Sequence, residues 1–125
     1  MKRPAEEPAI RVTAMPVDAN AYGDIFGGWL VSLMDMAAGL IAARHAQGRA
    51  VTVAMDGMQF LSPVKVGDEV SVYGRIDRVG RTSMVIAVEA WRRNRHEETT
   101  SKVTAATFTF VAVDEGGNPR PVKQE

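Results

Sequence analysis

The stretch GGWLVSLMDMAAGLIAARH, Gly27 to about His45, constrains this chain more than any other. It reads as one helix that is apolar on nearly every side, and such a helix has to be covered on more than one face, by a sheet that wraps it or by another subunit. In its middle stands a single carboxylate, Asp35, among Leu33, Met34, Met36, Ala37, Ala38, Leu40 and Ile41. An unpaired carboxylate is costly to bury, so Asp35 is turned out to water, neutralised, or kept for chemistry. The loop VDANAYGDIF leads into the helix, and AQGRA, with Gly48 as the expected stop, leads out.

Everything after the helix reads as strand. AVTVAMDGMQFL runs to a turn at Ser62 and Pro63, and DEVSVYGRIDRV alternates Val70, Val72, Gly74 and Ile76 against polar neighbours. RTSMVIAVEAWRR follows a tight turn at Val79 and Gly80, and KVTAATFTFVAV closes the set. With a short candidate strand in IRVTAMP, the pattern is α+β, one long helix packed on an antiparallel sheet. A chain of 125 residues is one domain, expected over residues 10–117, with residues 1–9 and 118–125 as flexible segments.

Composition removes several function classes. Lys plus Arg and Asp plus Glu both count 15, so nothing pulls the chain toward nucleic acid or acidic lipid. The absence of cysteine excludes disulfides, thiolate metal sites and a cysteine nucleophile, and two histidines, His45 and His96, argue against a histidine metal cluster. MKRPAEEPAI has acidic residues and prolines where a signal peptide is apolar, and the one long apolar run is interrupted by Asp35 and Gly39. The expectation is a soluble, cytoplasmic protein with no membrane or nucleic-acid partner and no metal.

Four segments, NAYGDIFGGWLVSLMDMAAG, VTVAMDGMQFLSPVKVGDEV, VGRTSMVIAVEAW and TFTFVAVDEGG, resemble the YciA-like acyl-CoA thioesterases of the hotdog fold. The likeness runs in order from about residue 10 to residue 117. It implies a central helix wrapped by an antiparallel sheet, a dimer with a continuous sheet and shared active sites, assembly as a trimer of dimers, and hydrolysis of acyl-CoA. No cofactor is implied, coenzyme A being part of the substrate. In that light Asn20 aligns with an active-site asparagine that orients water or holds the carbonyl; by itself it reads equally as a turn residue or loop cap.

The residues of the helix agree with such chemistry. Gly28, Ser32, Asp35 and Gly39, spaced by four, three and four, form one small, polar stripe beside which a groove runs. Gly27 and Gly28 lie at the helix start, where backbone N–H groups lack partners and the dipole is positive, which suits an oxygen gaining negative charge. The glycines serve equally well for close packing alone. Asp35 is expected to act as general base for water or as a nucleophile forming an anhydride, against the alternative of a purely structural aspartate. Asp24 reads as loop-stabilising or capping.

A coenzyme A ester also needs a donor-rich rim for its phosphates. The segment Val79 to Ser83 offers Gly80 for backbone approach, Arg81 as a charge, and the hydroxyls of Thr82 and Ser83, and it resembles a segment near the nucleotide in the same family. Its other reading is an ordinary hairpin turn. WRRNRH, Trp91 to His96, has a basic and aromatic look but suits a solvated strand end. The competing function is a non-hydrolytic acyl-CoA binding or sensing module that uses the same groove.

Overall fold

The computed structural model describes residues 2–122 and contains one long helix and five strands. Strand β1 is Ile10–Thr13, helix α1 is Gly27–Ala46, and strands β2 to β5 are Ala50–Phe60, Glu69–Val79, Ser83–Arg93 and Thr100–Ala112. All neighbours are antiparallel, in the order β1-β3-β4-β5-β2, so β1 and β2 form the two edges.

Alternation in the strands sets which side faces the helix. Val70 and Val72 of β3, Met84, Ile86, Val88 and Ala90 of β4, and Phe108, Phe110 and Ala112 of β5 are buried together with Leu30, Leu33, Met34, Ala37, Ala38 and Ala42 of α1. Small residues let the helix lie close to the sheet. At Gly74 a Cβ would come within 2.7 Å of the Ile41 side chain, so the glycine in the β3 alternation makes room for Ile41 of the helix.

The sheet covers only one side of the helix. Met36 and Leu40 remain 51% and 60% exposed, and Gly28 and Ser32 are exposed with them, whereas Asp35 is half-exposed and a Cβ on Gly39 would meet the buried Phe110 ring at 3.6 Å, so only the first half of the stripe predicted from spacing faces outward. Beside it runs β2, paired only with β5 and exposed along most of its length, including Val53 and Met55. Register shifts between Thr52 and Ala54 and between Asp56 and Gln59 bend this strand, the second around Gly57, whose φ of 75° favours glycine.

Two expectations need adjustment. The left-handed residue that ends α1 is Gln47, at φ 52° and ψ 48°, rather than Gly48. Gly48 is needed for space instead: a Cβ there would stand 2.5 Å from Nη2 of Arg120, which donates to the Ala46 carbonyl at 2.8 Å and so caps the helix end. Ordered contacts also extend past residue 117. Val113 bridges Pro119, and Val122 is buried and donates its N–H to the Arg81 carbonyl; of the expected tail, residues 123–125 lie outside the described residues. Before β1, Arg3 reaches Glu69 at 2.7 Å.

Candidate active site

Asp35 is neither buried nor fully turned to water. It is half-exposed on the flank of α1 that faces β2, and the hydroxyl of Thr52 donates to its Oδ1 at 2.7 Å. Its Oδ2 accepts no hydrogen bond among the described residues, which leaves one carboxylate oxygen fixed and the other available. Met36, the next residue, and Leu40 add apolar surface to the exposed face of the helix.

The start of the same helix presents donors. Phe26 N–H is bonded to Asp18 and Trp29 N–H to the Phe26 carbonyl, whereas the N–H groups of Gly27 and Gly28 have no acceptor among the described residues. A Cβ at Gly28 would meet nothing within 4 Å, so no packing in this chain requires glycine there. Both unpartnered donors stand at the positive end of a 20-residue helix.

Asn20 ties the loop before the helix. Its Oδ1 accepts from Tyr22 N–H at 2.8 Å and Asp24 N–H at 3.1 Å, the geometry of an Asx turn. That commits the side-chain oxygen and leaves the amide NH2 as the group that can act outward. Asp24 is loop-stabilising, pairing with Lys65 through both backbone and side chain.

At the other end of the sheet, Gly80 N–H donates to the Ser83 carbonyl at 2.8 Å, closing the β3-β4 turn. A Cβ on Gly80 would lie 2.9 Å from the Ser83 hydroxyl, so the turn has no room for one. Arg81 is exposed and its guanidinium has no partner among the described residues, while the Arg81 and Thr82 carbonyls are held by Val122 and Ala112. Ser83 lies opposite Val111, which lies opposite Val51. The turn is thus two strand spacings, roughly 10 Å, from the strand that carries Thr52.

One chain does not bring all these groups together. Gly28 and Asp35 are seven residues apart, about 10 Å along the axis, and Asn20 precedes the helix start. Thr52 and the Gly80 to Ser83 turn lie toward one end, Asp35 stands at mid-helix, and Asn20, Gly27 and Gly28 lie toward the other end.

A family model described as Thioesterase superfamily matches residues 22–99, which takes in the helix and the Gly80 to Ser83 turn and begins two residues after Asn20. The chain belongs to the thioesterase superfamily. An uncharacterized acyl-CoA thioester hydrolase of Zymomonas mobilis is 60% identical over 116 residues, covering 93% of this chain and 78% of that protein. Acyl-CoA thioester hydrolase YciA of Escherichia coli is 46% identical, with coverage of 98% and 95%. Among solved structures, a hexameric thioesterase from Yersinia pestis superposes with a TM-score of 0.91 at 46% identity, covering 98% of this chain and all of that one. A hexameric hotdog fold thioesterase of Campylobacter jejuni gives 0.90 at 35% identity, with coverage of 97% and 93%. The expected hotdog fold is therefore the fold of this thioesterase-superfamily chain.

Two neighbours of the expected site residues were not foreseen in the sequence. Thr52 was one more β-branched residue in AVTVAMDG, with nothing to mark it as a partner of Asp35. Phe60 lays its ring over the helix start, where a Cβ on Gly27 would be 3.2 Å from its Cζ. Two arginines of the WRRNRH patch are absorbed within the chain, Arg92 pairing with the buried Asp68 at 3.3 Å and Arg93 with Glu69 at 3.1 Å, while Arg95 and His96 stay exposed. Glu69, held by hydrogen bonds from Arg93 and Arg3, is lowered from 4.5 to about 2 despite an opposing effect of partial burial. No group of three or more His, Asp or Glu is placed to hold a metal among the described residues. None of the described helices is long and apolar enough to cross a membrane.

Proposed function

We propose that this protein is an acyl-CoA thioesterase, hydrolysing the thioester to free acid and coenzyme A. The observation that carries the reading is a carboxylate fixed through one oxygen by Thr52, on the outward face of a helix whose start offers two unpartnered N–H groups. Membership in the superfamily supports it, as do relatives named acyl-CoA thioester hydrolases.

In the proposed reaction Asp35 Oδ2 takes a proton from water as its oxygen attacks the thioester carbonyl carbon. The carbonyl oxygen becomes an oxyanion, which Gly27 and Gly28 N–H stabilise; one well-placed donor contributes about 3 kcal/mol, and a positioned base about 10²–10⁴-fold. Collapse breaks the carbon–sulfur bond, and the proton on Asp35 passes to the departing sulfur. Direct attack by Asp35 to give an anhydride has the same products, and transfer of ¹⁸O from labelled water into the enzyme during a single turnover distinguishes it. Asn20, with its oxygen committed to the loop, contributes through its amide NH2 to the water or the carbonyl. Gly80, Arg81, Thr82 and Ser83 receive coenzyme A phosphates, Arg81 through its exposed guanidinium.

The site is completed across a homodimer. Base and donors must each reach the reacting atoms to within about 3 Å, allowing one water, and a separation of about 10 Å on one helix prevents that. Two antiparallel helices about a two-fold axis set each helix start and its Asn20 against the middle of the other helix, making two equal sites. The uncovered apolar face of α1 and the free β2 edge are the surfaces such a dimer buries, with the two sheets continuous across it. Assembly as a trimer of dimers follows the hexameric solved relatives.

Release of free coenzyme A over a panel of acyl-CoA lengths tests the reading. Turnover of at least one ester is expected. Tight binding with no thiol release from any ester would make the protein a binder or sensor.

A further inference from the structure

An apolar cleft of about 380 Å³ opens at the start of α1, between the helix and the end of β2. Phe26, Gly27 and Leu30 form one side, and Phe60, Leu61 and Val64 form much of the rest. Gly27 belongs both to this cleft and to the pair of unpartnered N–H donors, so a carbonyl held by those donors has its apolar substituent at the cleft mouth. Phe60 stands at that junction, its ring packed against Gly27 while remaining 52% exposed, and Leu61 beside it is 64% exposed. Leu30, buried at 2%, lines the cleft one turn into the helix.

We propose that this cleft receives the acyl chain, and that Phe60 and Leu61 set the chain length accepted. The proposal rests on the thioesterase reading and adds to it the residues that choose among substrates. An acyl chain is the occupant because the cleft is continuous with the donors that hold its carbonyl, and because its walls, Ser62 apart, are apolar side chains. Each methylene buried multiplies kcat/KM by about fourfold until the cleft is full. Phe60 limits the space at the mouth, and its removal extends the series.

The test is kcat/KM across saturated acyl-CoA esters from two to sixteen carbons for wild type, Phe60→Ala and Leu61→Trp, with oligomer size measured for each. Phe60 and Leu61 are 52% and 64% exposed in the single chain, so neither substitution removes its core packing, and the oligomer measurement reports whether Phe60, the last residue of β2, also serves the dimer face. Phe60→Ala is expected to move the optimum to longer chains by about two methylenes, a change of about fifteenfold in the ratio of long to short esters. Leu61→Trp is expected to move it the other way. Equal scaling of all esters in both variants would overturn the proposal. So would dissociation of the oligomer by Phe60→Ala, because the cleft would then be occupied by a second copy of the chain. A wild type inactive on every ester would instead overturn the thioesterase reading itself.

Discussion

Thr52, near the start of an edge strand, donates its hydroxyl to Asp35 in the middle of the long helix, at 2.7 Å. The bond crosses from sheet to helix on the side the sheet leaves uncovered, and it fixes one carboxylate oxygen so that the other points away from Thr52. Removing it should loosen Asp35 without removing the base. Thr52→Val keeps the shape and loses the donor, and a hydrogen bond to a charged group contributes about 1.5–3 kcal/mol. A fall in kcat of about 10- to 100-fold with little change in KM is expected, with Thr52→Ser recovering most of it. Equal activity in the Val and Ser variants would show that the bond does not position the carboxylate.

Asp35→Asn tests the base directly. The amide has the size of the acid and cannot take the proton, so turnover should fall by about 10²–10⁴ while acyl-CoA binding, measured by calorimetry, changes little. Near-normal turnover would return Asp35 to a structural role.

Mixed dimers test the shared site. In a heterodimer of Asp35→Ala and Asn20→Ala chains, one site carries both defects and the other carries neither, so co-refolding should recover appreciable activity. If the two residues served from the same chain, each site would keep one defect. Well-folded mixed dimers with no recovery would therefore rule out the two-chain arrangement.

Arg81 is expected to act on the nucleotide end of the substrate alone. Arg81→Ala should raise KM for acyl-CoA far more than for a pantetheine thioester, which lacks the nucleotide, and added salt should weaken the wild type toward the variant. A matching increase for both substrates would take Arg81 out of the phosphate site.

Glu69 should give the fold an acid-sensitive margin. Its carboxyl is lowered from 4.5 to about 2, first by the hydrogen bond from Arg93 and also by Arg3 and Arg11. A depressed carboxylate stabilises the folded state above its unfolded value, so the margin is present above pH 4.5 and is lost as pH falls through about 2. With solvent screening of these partly exposed pairs, Glu69→Gln should cost about 1–2 kcal/mol near neutral pH. Denaturation curves should converge with those of wild type at low pH; a constant gap at every pH would contradict the ion-pair origin.

What the sequence determined by itself is what depends on local periodicity. The apolar run with one aspartate sets a helix, alternation in the later segments sets strands and their buried faces, and the seven residues from Gly28 to Asp35 separate donor from base by about 10 Å in any fold that keeps the helix. The stripe Gly28, Ser32, Asp35 and Gly39 was legible for the same reason. Only the tertiary structure decided which groups meet across elements. Thr52 reaches Asp35, and Phe60 covers Gly27, because β2 runs back along the helix through two register shifts that no hydrophobic pattern announces. Gln47 takes the left-handed position, and Gly48 instead leaves the space in which Arg120, from beyond the last strand, reaches the helix end. The basic look of Arg92 and Arg93 disappears once strand pairing sets them against Asp68 and Glu69. Each of these contacts joins residues far apart in the chain, so its physical cause lies in strand register and packing, which a local window of sequence does not contain.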